Sequence, residues 1–141
     1  MTEAAPKLIA IGPAAYVRDL AASRRFYEAL LGLEVKVVMR RDGREIAVAY
    51  TAGLSVWQVD DVYPIVFGPG AEPPATLGHG NWEFSFETAE IDAVAARLAA
   101  AGVRVAHALR LLPWGQRAIR VYDPDGHIID IGALHRLAPR S

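Results

Sequence analysis

Cysteine is absent from this chain, which excludes disulfides, thiolate metal ligands and a cysteine nucleophile. Neither sign of charge dominates, because 15 basic residues stand against 16 acidic ones, and no block of like charge would attract nucleic acid or an anionic membrane. No apolar run approaches the ~18 residues of a membrane span, and the N-terminal segment lacks the pattern of a signal peptide. We therefore expect a cytoplasmic protein that binds neither nucleic acid nor membranes.

What the sequence does contain is a clear β-hairpin near its C-terminal end. Two apolar runs flank residues 123–126, Asp-Pro-Asp-Gly, a sequence typical of a tight turn. Because side chains alternate along a strand, Ile129 and Ile131 share one face and Asp130 lies on the other. An acid on a half-buried strand is costly unless it is paired, hydrogen-bonded or bound to a cation. Asp130 is therefore the first candidate for a functional residue.

The pattern of apolar residues predicts the same order of elements twice. The first copy has strands at 8–16, 33–39, 46–50 and 54–59 with a helix from Leu20 to Gly32, and the second has strands at 81–87, 103–105, 117–122 and 127–132 with a helix from Ile91 to Gly102. We expect a single domain, 1–141, made of a module at 8–59, a linker at 60–80, a module at 81–132 and a tail at 133–141. The proline- and glycine-rich linker is predicted to contain neither helix nor strand.

Each βαβββ module alone would bury only the face of its sheet that packs on its helix. Two such modules placed side by side predict an α+β fold, with an open cup-shaped mixed sheet and the helices on its outer face. The exposed inner surface of the cup is where we expect a ligand to bind.

Three segments resemble the glyoxalase/bleomycin-resistance/dioxygenase superfamily, also called the vicinal oxygen chelate superfamily. They are the strand-to-helix segment at 17–35, its second copy at 83–105, and the hairpin with its Asp-Pro-Asp-Gly turn and the acid at Asp130. The resemblance implies a small-molecule ligand or substrate in the cup. It also implies a divalent metal held by residues from the first and last strands of each module.

Matching this sequence to the superfamily's metal positions gives an incomplete ligand set. The first position falls at Gly12, or at Pro13 after a one-residue shift, and neither residue has a ligand side chain. The other positions match Gln58, Glu83 and Asp130. We therefore expect either a degenerate site or no metal at all.

A site built from Gln58, Glu83 and Asp130 would offer only oxygen ligands, which favours magnesium, manganese or calcium. Alternation favours Gln58 for the cup, but a one-residue gap in the alignment would replace it by Trp57. Without a metal, Glu83 and Asp130 would share a proton or pair with an arginine. The two carboxylates are the predicted catalytic residues if the protein is an enzyme.

A second group of polar and aromatic residues is predicted to contact the ligand. Trp114, Gln116 and Arg117 lie at the start of one hairpin strand, and Ser85 shares a strand face with Glu83. One of the arginines at 117 and 120 must point inward, because they lie on opposite faces of the strand. His127 is expected to be structural or at the surface. The tryptophans at 57 and 82 are expected to belong to the core.

Two functions from different classes fit these residues. The first is a binding protein that holds a small aromatic or anionic molecule without chemistry, which accounts for the missing metal ligand. The second is a divalent-metal-assisted isomerase, lyase or dioxygenase acting on a vicinal-oxygen substrate, which accounts for the acids that face the cup. Proteins of the resembled superfamily commonly pair. A homodimer is also expected because four apolar linker residues need cover: Val62, Ile65, Val66 and Phe67.

Overall fold

The computed structural model describes residues 5–134, and it contains the predicted repeat. The first module comprises β1 (Ala14–Val17), α1 (Leu20–Arg24) with a π-helical continuation (Arg25–Leu30), β2 (Val35–Arg41), β3 (Arg44–Tyr50) and β4 (Ser55–Gln58). A helix, α2 (Val59–Phe67), follows. The second module comprises β5 (Glu83–Thr88), α3 (Ile91–Ala100), β6 (Val105–Leu111), β7 (Arg117–Tyr122) and β8 (Ile128–Ala133).

Each module forms a four-stranded mixed sheet with the same strand order, β1-β4-β3-β2 in the first and β5-β8-β7-β6 in the second. The first and last strands of each module pair in parallel, and the remaining neighbours are antiparallel. Neither sheet closes on itself. The predicted α+β class, with two βαβββ modules and an open mixed sheet, is confirmed.

The core lies between the helices and one face of each sheet, and both modules contribute to it. It includes Val17, Phe26, Tyr27, Val48 and Val56 from the first module and Leu98, Ile119, Val121, Ile129 and Ile131 from the second. The opposite face of each sheet, which we call the open face, carries the side chains that alternate with these residues. Ile129 and Ile131 are buried while Asp130 lies between them on the open face, as the alternation predicts.

The turn of the second module also fastens the two modules together. Asp123 Oδ1 accepts hydrogen bonds from the backbone N–H groups of Asp125 and His127, both at 2.9 Å, as expected for an aspartate that opens a tight turn. Its other oxygen accepts a 2.6 Å hydrogen bond from the hydroxyl of Tyr27 in the first module. The backbone N–H of Arg18 donates to Asp125 Oδ1 at 3.0 Å.

The linker prediction is wrong for its first part, because 59–67 form α2. Asp60 and Asp61 lie in the first turn, where their negative charges interact favourably with the positive end of the helix dipole. Gly68 ends the helix at a φ of 106°. Pro64 lies inside this helix, where it removes one backbone hydrogen bond. Burial of Val59 and Val62 offsets this cost, so tertiary packing overrides the local signal. Residues 68–82 contain neither helix nor strand.

Other element boundaries also differ from the prediction, most of all at two strands. The first strand begins at Ala14 rather than at residue 8, and the side chain of Leu8 is 93% exposed. The strand after α3 extends from Val105 to Leu111 instead of ending at Val105. No helix within residues 5–134 is long and apolar enough to cross a membrane.

Candidate functional site

The open face of the second module carries a row of polar side chains, one from each strand. In the strand register, Ser85 of β5 lies beside Asp130 of β8, Asp130 lies beside Arg120 of β7, and Arg120 lies beside His107 of β6. Glu83 lies on the same face of β5, two residues before Ser85. The structure therefore brings together three of the residues predicted from the sequence: Glu83, Ser85 and Asp130.

Arg120 is the centre of this row. Its Nε and Nη2 atoms donate to the two carboxylate oxygens of Glu83 at 2.8 and 2.9 Å, and its Nη1 lies 3.1 Å from His107 Nε2. Nη2 is 3.6 Å from Asp130 Oδ2. The two acids therefore face a shared guanidinium rather than each other. This is the arginine-paired arrangement that the sequence left open, and Arg120 is the arginine that faces inward.

The environment moves the two carboxyl groups in opposite directions. Hydrogen bonds from Arg120 hold the pKa of Glu83 below its usual value. Burial and the nearby charge of Glu83 raise the pKa of Asp130, against the opposing effects of Arg120 and a hydrogen bond from Ser85. Glu83 is thus the ionised partner of the guanidinium, and Asp130 is the acid that takes up a proton more easily.

Arg117 lies on the other face of β7, away from this row. Its guanidinium forms two hydrogen bonds with Asp92 in the first turn of α3, at 2.8 and 3.1 Å. The expectation that Arg117 contacts a ligand in the cup is therefore not met by its position. Strand alternation allowed one inward arginine, and Arg120 takes that position.

Trp114 and Gln116 lie in the loop between β6 and β7, at the rim of the open face. Gln116 Nε2 donates to the carbonyl of Ala133 at 2.8 Å and to Glu87 Oε2 at 3.3 Å. Gln116 Oε1 accepts a 3.2 Å hydrogen bond from the indole of Trp114, which is half exposed. A side chain at Gly132 would overlap the Gln116 amide. The loop thus holds a flat aromatic ring in a defined place at the rim.

The prediction that Gln58 faces the cup is wrong. Its Oε1 accepts from the backbone N–H of Leu20 at 2.7 Å, and its Nε2 donates to the carbonyl of Arg18. Both ends of the amide therefore fix the start of α1. Val56, on the same face of β4, is completely buried in the core, so this face packs on the helices and Trp57 lies on the open face.

The open face of the first module is apolar and forms a groove of about 790 Å³. Its lining includes Tyr16, Val37, Ala49, Trp57, Val62 and Val66, and Lys36 is the one charged residue within 5–134 that lines it. Helix α2 forms one wall, and its Tyr63 meets Tyr16 edge to face with the ring centres 5.6 Å apart. The indole of Trp57 donates to Ser55 Oγ at 2.9 Å, so this ring is held in the groove and is not a core residue.

A smaller cavity of about 370 Å³ lies where the first strands of the two modules approach each other. Trp82, His79 and Glu83 line its polar and aromatic side. Trp82 is 71% exposed, so the expectation that it belongs to the core is wrong. His127 is structural, as predicted, because its Nε2 lies 3.0 Å from the carbonyl oxygen of Tyr16.

Among residues 5–134, two groups come into question for a metal ion, and the ligand atoms of both already make other contacts. Asp123, Asp125 and His127 have ligand atoms within 4.8 Å of one another, but these atoms already serve the turn and the contact between the modules. Glu83 and Asp130 face the guanidinium of Arg120, which supplies the positive charge that a metal ion would otherwise provide. The residues at the predicted metal site therefore do not fit a metal ion while Arg120 is in place.

Sequence reasoning missed two features of the site. His107 had no partner at a telling spacing, because its neighbour Arg120 is brought to it by strand pairing. Helix α2 was not predicted, because the prolines and glycines of residues 60–80 indicated a segment without helix or strand.

The chain is similar to proteins of a known family. Residues 11–134 match the family described as the glyoxalase-like domain. No curated protein matches the chain.

Three solved structures illustrate the similarity. A protein of unknown function from Agrobacterium tumefaciens is 28% identical, covers 92% of this chain and 97% of its own, and has a TM-score of 0.78. A lactoylglutathione lyase from the same species is 25% identical, with 92% and 95% coverage and a TM-score of 0.64. A glyoxalase-related enzyme from Fulvimarina pelagi is 26% identical, with 92% and 89% coverage and a TM-score of 0.68. Because the family match spans nearly all of the described residues, this chain belongs to the glyoxalase-like domain family.

Proposed function

We propose that this protein binds a small aromatic molecule against the open faces of its sheets, without metal-dependent chemistry. The observation that carries this proposal is the groove of about 790 Å³ on the first module. Ligand sites are typically concave and mostly apolar, with few polar groups that fix orientation. The groove matches this description because aromatic and aliphatic side chains line it on both the sheet side and the α2 side.

The aromatic residues of the groove favour a flat ligand. Tyr16 and Trp57 lie on neighbouring strands of the open face, in direct register with each other. Ring systems held in this way offer stacking and edge-to-face contacts, worth about 0.5–1.5 kcal/mol per pair beyond the area they bury. Lys36 at the lining would pair with an anionic substituent, such as a carboxylate or phenolate.

The second module supports a non-catalytic role. The positions that match the superfamily's metal ligands hold Glu83 and Asp130, and both carboxyl groups already face the guanidinium of Arg120. The degenerate metal site is therefore part of this proposal.

An alternative is a divalent-metal-assisted isomerase, lyase or dioxygenase acting on a vicinal-oxygen substrate. Two observations favour it: the similarity to a lactoylglutathione lyase, and the raised pKa of Asp130, which is typical of acid–base groups. This alternative requires a metal ion to displace the guanidinium of Arg120 from Glu83 and Asp130.

Tryptophan fluorescence tests the binding proposal. We expect the parent protein to respond saturably to benzoate, naphthoate or a neutral counterpart such as naphthalene methanol, with the anionic compounds binding more tightly. Trp57→Ala should abolish saturable binding, measured by calorimetry. Trp82→Ala, outside the groove, is the control and should bind as the parent does.

Equal binding by the parent and Trp57→Ala would overturn the groove as the site. Metal-dependent turnover of vicinal-oxygen substrates by the purified protein would favour the enzymatic alternative instead.

We also propose a homodimer. On α2, the side chains of Ile65, Val66 and Phe67 are 49%, 57% and 57% exposed, which is a large apolar area for an uncovered helix. Sedimentation at micromolar concentration should give about twice the chain mass of 15.3 kDa. A mass of one chain would refute this proposal.

A further inference from the structure

Three side chains able to bind a divalent metal converge on one guanidinium in the second module. Glu83 accepts from Arg120 at 2.8 and 2.9 Å, His107 Nε2 lies 3.1 Å from Arg120 Nη1, and Asp130 Oδ2 lies 3.6 Å from Nη2. Carboxylate oxygens and an imidazole nitrogen are common ligands of manganese, iron, nickel and zinc. We propose that the guanidinium of Arg120 takes the place of a divalent metal ion, and that Glu83, His107 and Asp130 form a metal-ligand set that this arginine blocks.

The electrostatics of the row explain why one cation excludes the other. Two carboxylates that are partly withdrawn from water need a positive counter-charge. Arg120 supplies it from within the chain and remains protonated at all ordinary pH values. A metal ion arriving from solution would have to break the paired hydrogen bonds to Glu83 and then sit beside a like charge. The tethered guanidinium therefore outcompetes it.

The position of Arg120 supports substitution rather than a chance surface pair. It lies directly beside Asp130 on one neighbouring strand and directly beside His107 on the other. Its side chain then crosses β8 to reach Glu83 on β5. The guanidinium thus occupies the middle of the ligand set, and a shorter, uncharged side chain would leave that space open.

A metal ion is smaller than a guanidinium, so its ligands would have to move inward. Bonds from zinc to nitrogen and oxygen are about 2.0–2.2 Å. The three ligand side chains have rotatable bonds and lie on the open face, which allows this movement. The inference deepens the degenerate metal site of the proposed function and is independent of the organic ligand in the groove.

Metal titration of Arg120→Ala tests the inference. Calorimetry with Mn²⁺ and Ni²⁺ should show one bound ion per chain, at least about tenfold tighter than in the parent protein. The double variant His107→Ala with Arg120→Ala should lose most of this gain, because one ligand is missing. Arg120→Lys retains a cation and should bind no better than the parent.

Arg117→Ala is the matched control, since it removes the other arginine of the same strand from the opposite face. It should leave metal binding unchanged. If Arg120→Ala fails to fold by circular dichroism, Arg120→Gln replaces it, because its side chain is uncharged and shorter than that of arginine.

The possible failures are distinguishable. Tight, stoichiometric metal binding by the parent would overturn both this inference and the degenerate site in the proposed function. If neither the parent nor the folded Arg120 variants bind metal, the inference alone is overturned. A gain that persists without His107 would remove that residue from the ligand set and contradict the proposal as stated.

Discussion

The hydroxyl of Tyr27, on the helix of the first module, donates a 2.6 Å hydrogen bond to Asp123 in the hairpin turn of the second. Both residues are buried, and Asp123 also organises the turn through two backbone N–H groups. Burial and the charge of Asp123 raise the pKa of the Tyr27 phenol, so it remains a donor at all ordinary pH values. One side-chain pair thus connects the modules through their interior.

Tyr27→Phe should therefore destabilise the protein. It keeps the ring in the core but leaves a buried carboxylate oxygen without its donor, which costs about 1–3 kcal/mol. Urea unfolding followed by circular dichroism measures the change. Tyr63→Phe on α2 is the control and should stay within about 0.5 kcal/mol of the parent. A loss in Tyr27→Phe no greater than in the control would show that the hydrogen bond does not stabilise the fold.

The opposite pKa directions of Glu83 and Asp130 predict opposite dependences on pH. The pKa of Glu83 is lowered in the folded state, so its contribution to stability is present above the unfolded pKa, near 4.5, and is lost as pH falls through the lower, folded value. The pKa of Asp130 is raised, so folded protein holds that proton more firmly. Stability is then lost as pH rises from about 3.8 through the folded value.

Asp130→Asn should accordingly be as stable as the parent or more stable at pH 7, while Glu83→Gln should be less stable at that pH. The loss of stability caused by Glu83→Gln should shrink as the pH falls below the usual pKa of a glutamate, near 4.5. Thermal melts between about pH 3 and pH 8 at low salt measure both, because this interval includes neutral pH and the ordinary carboxyl pKa values of about 4. The same sign of change for both variants at pH 7 would contradict the assigned pKa directions.

Alanine substitutions at Gly12 and Gly43 distinguish the cost of steric overlap from the cost of backbone strain. Both have positive φ, 106° and 76°, so alanine is unfavourable at either position. An alanine Cβ at residue 12 would also overlap the carbonyl oxygen of Gly53, whereas at residue 43 it would meet nothing within 4 Å. Gly43→Ala should cost about 1–2 kcal/mol from strain alone. Gly12→Ala should cost more in the same denaturant titration, and equal costs would mean that the segment before β1 simply moves aside.

The parts of the fold that depend on local chemistry could be predicted from the sequence. The turn at 123–126 is one example, because Asp123 accepts hydrogen bonds from the backbone N–H groups of Asp125 and His127 through its side chain and from that of Gly126 through its carbonyl. The position of Asp130 opposite its isoleucine neighbours is another, since alternation requires it. Both inferences needed no knowledge of distant residues.

The orientation of Gln58 could not be predicted from local pattern. Alternation correctly grouped Val56 with Gln58, but it does not state which face meets the helices. That choice depends on packing between elements far apart in sequence. The ion pair between Arg120 and Glu83 could not be predicted for the same reason, because their strands, β7 and β5, are neighbours of β8 on its two sides and are far apart in sequence.

The core that both modules share has a consequence for how such a chain can be divided. Residues from each half pack into a single cluster, and the segment from 69 to 80 joins the halves without helix or strand. Cutting the backbone there would break no ladder and remove no core contact, so two co-expressed fragments should reassemble into the native structure. A half produced alone would expose its side of the cluster. An ancestral half-length chain with the same surface would have needed a second copy of itself to fold.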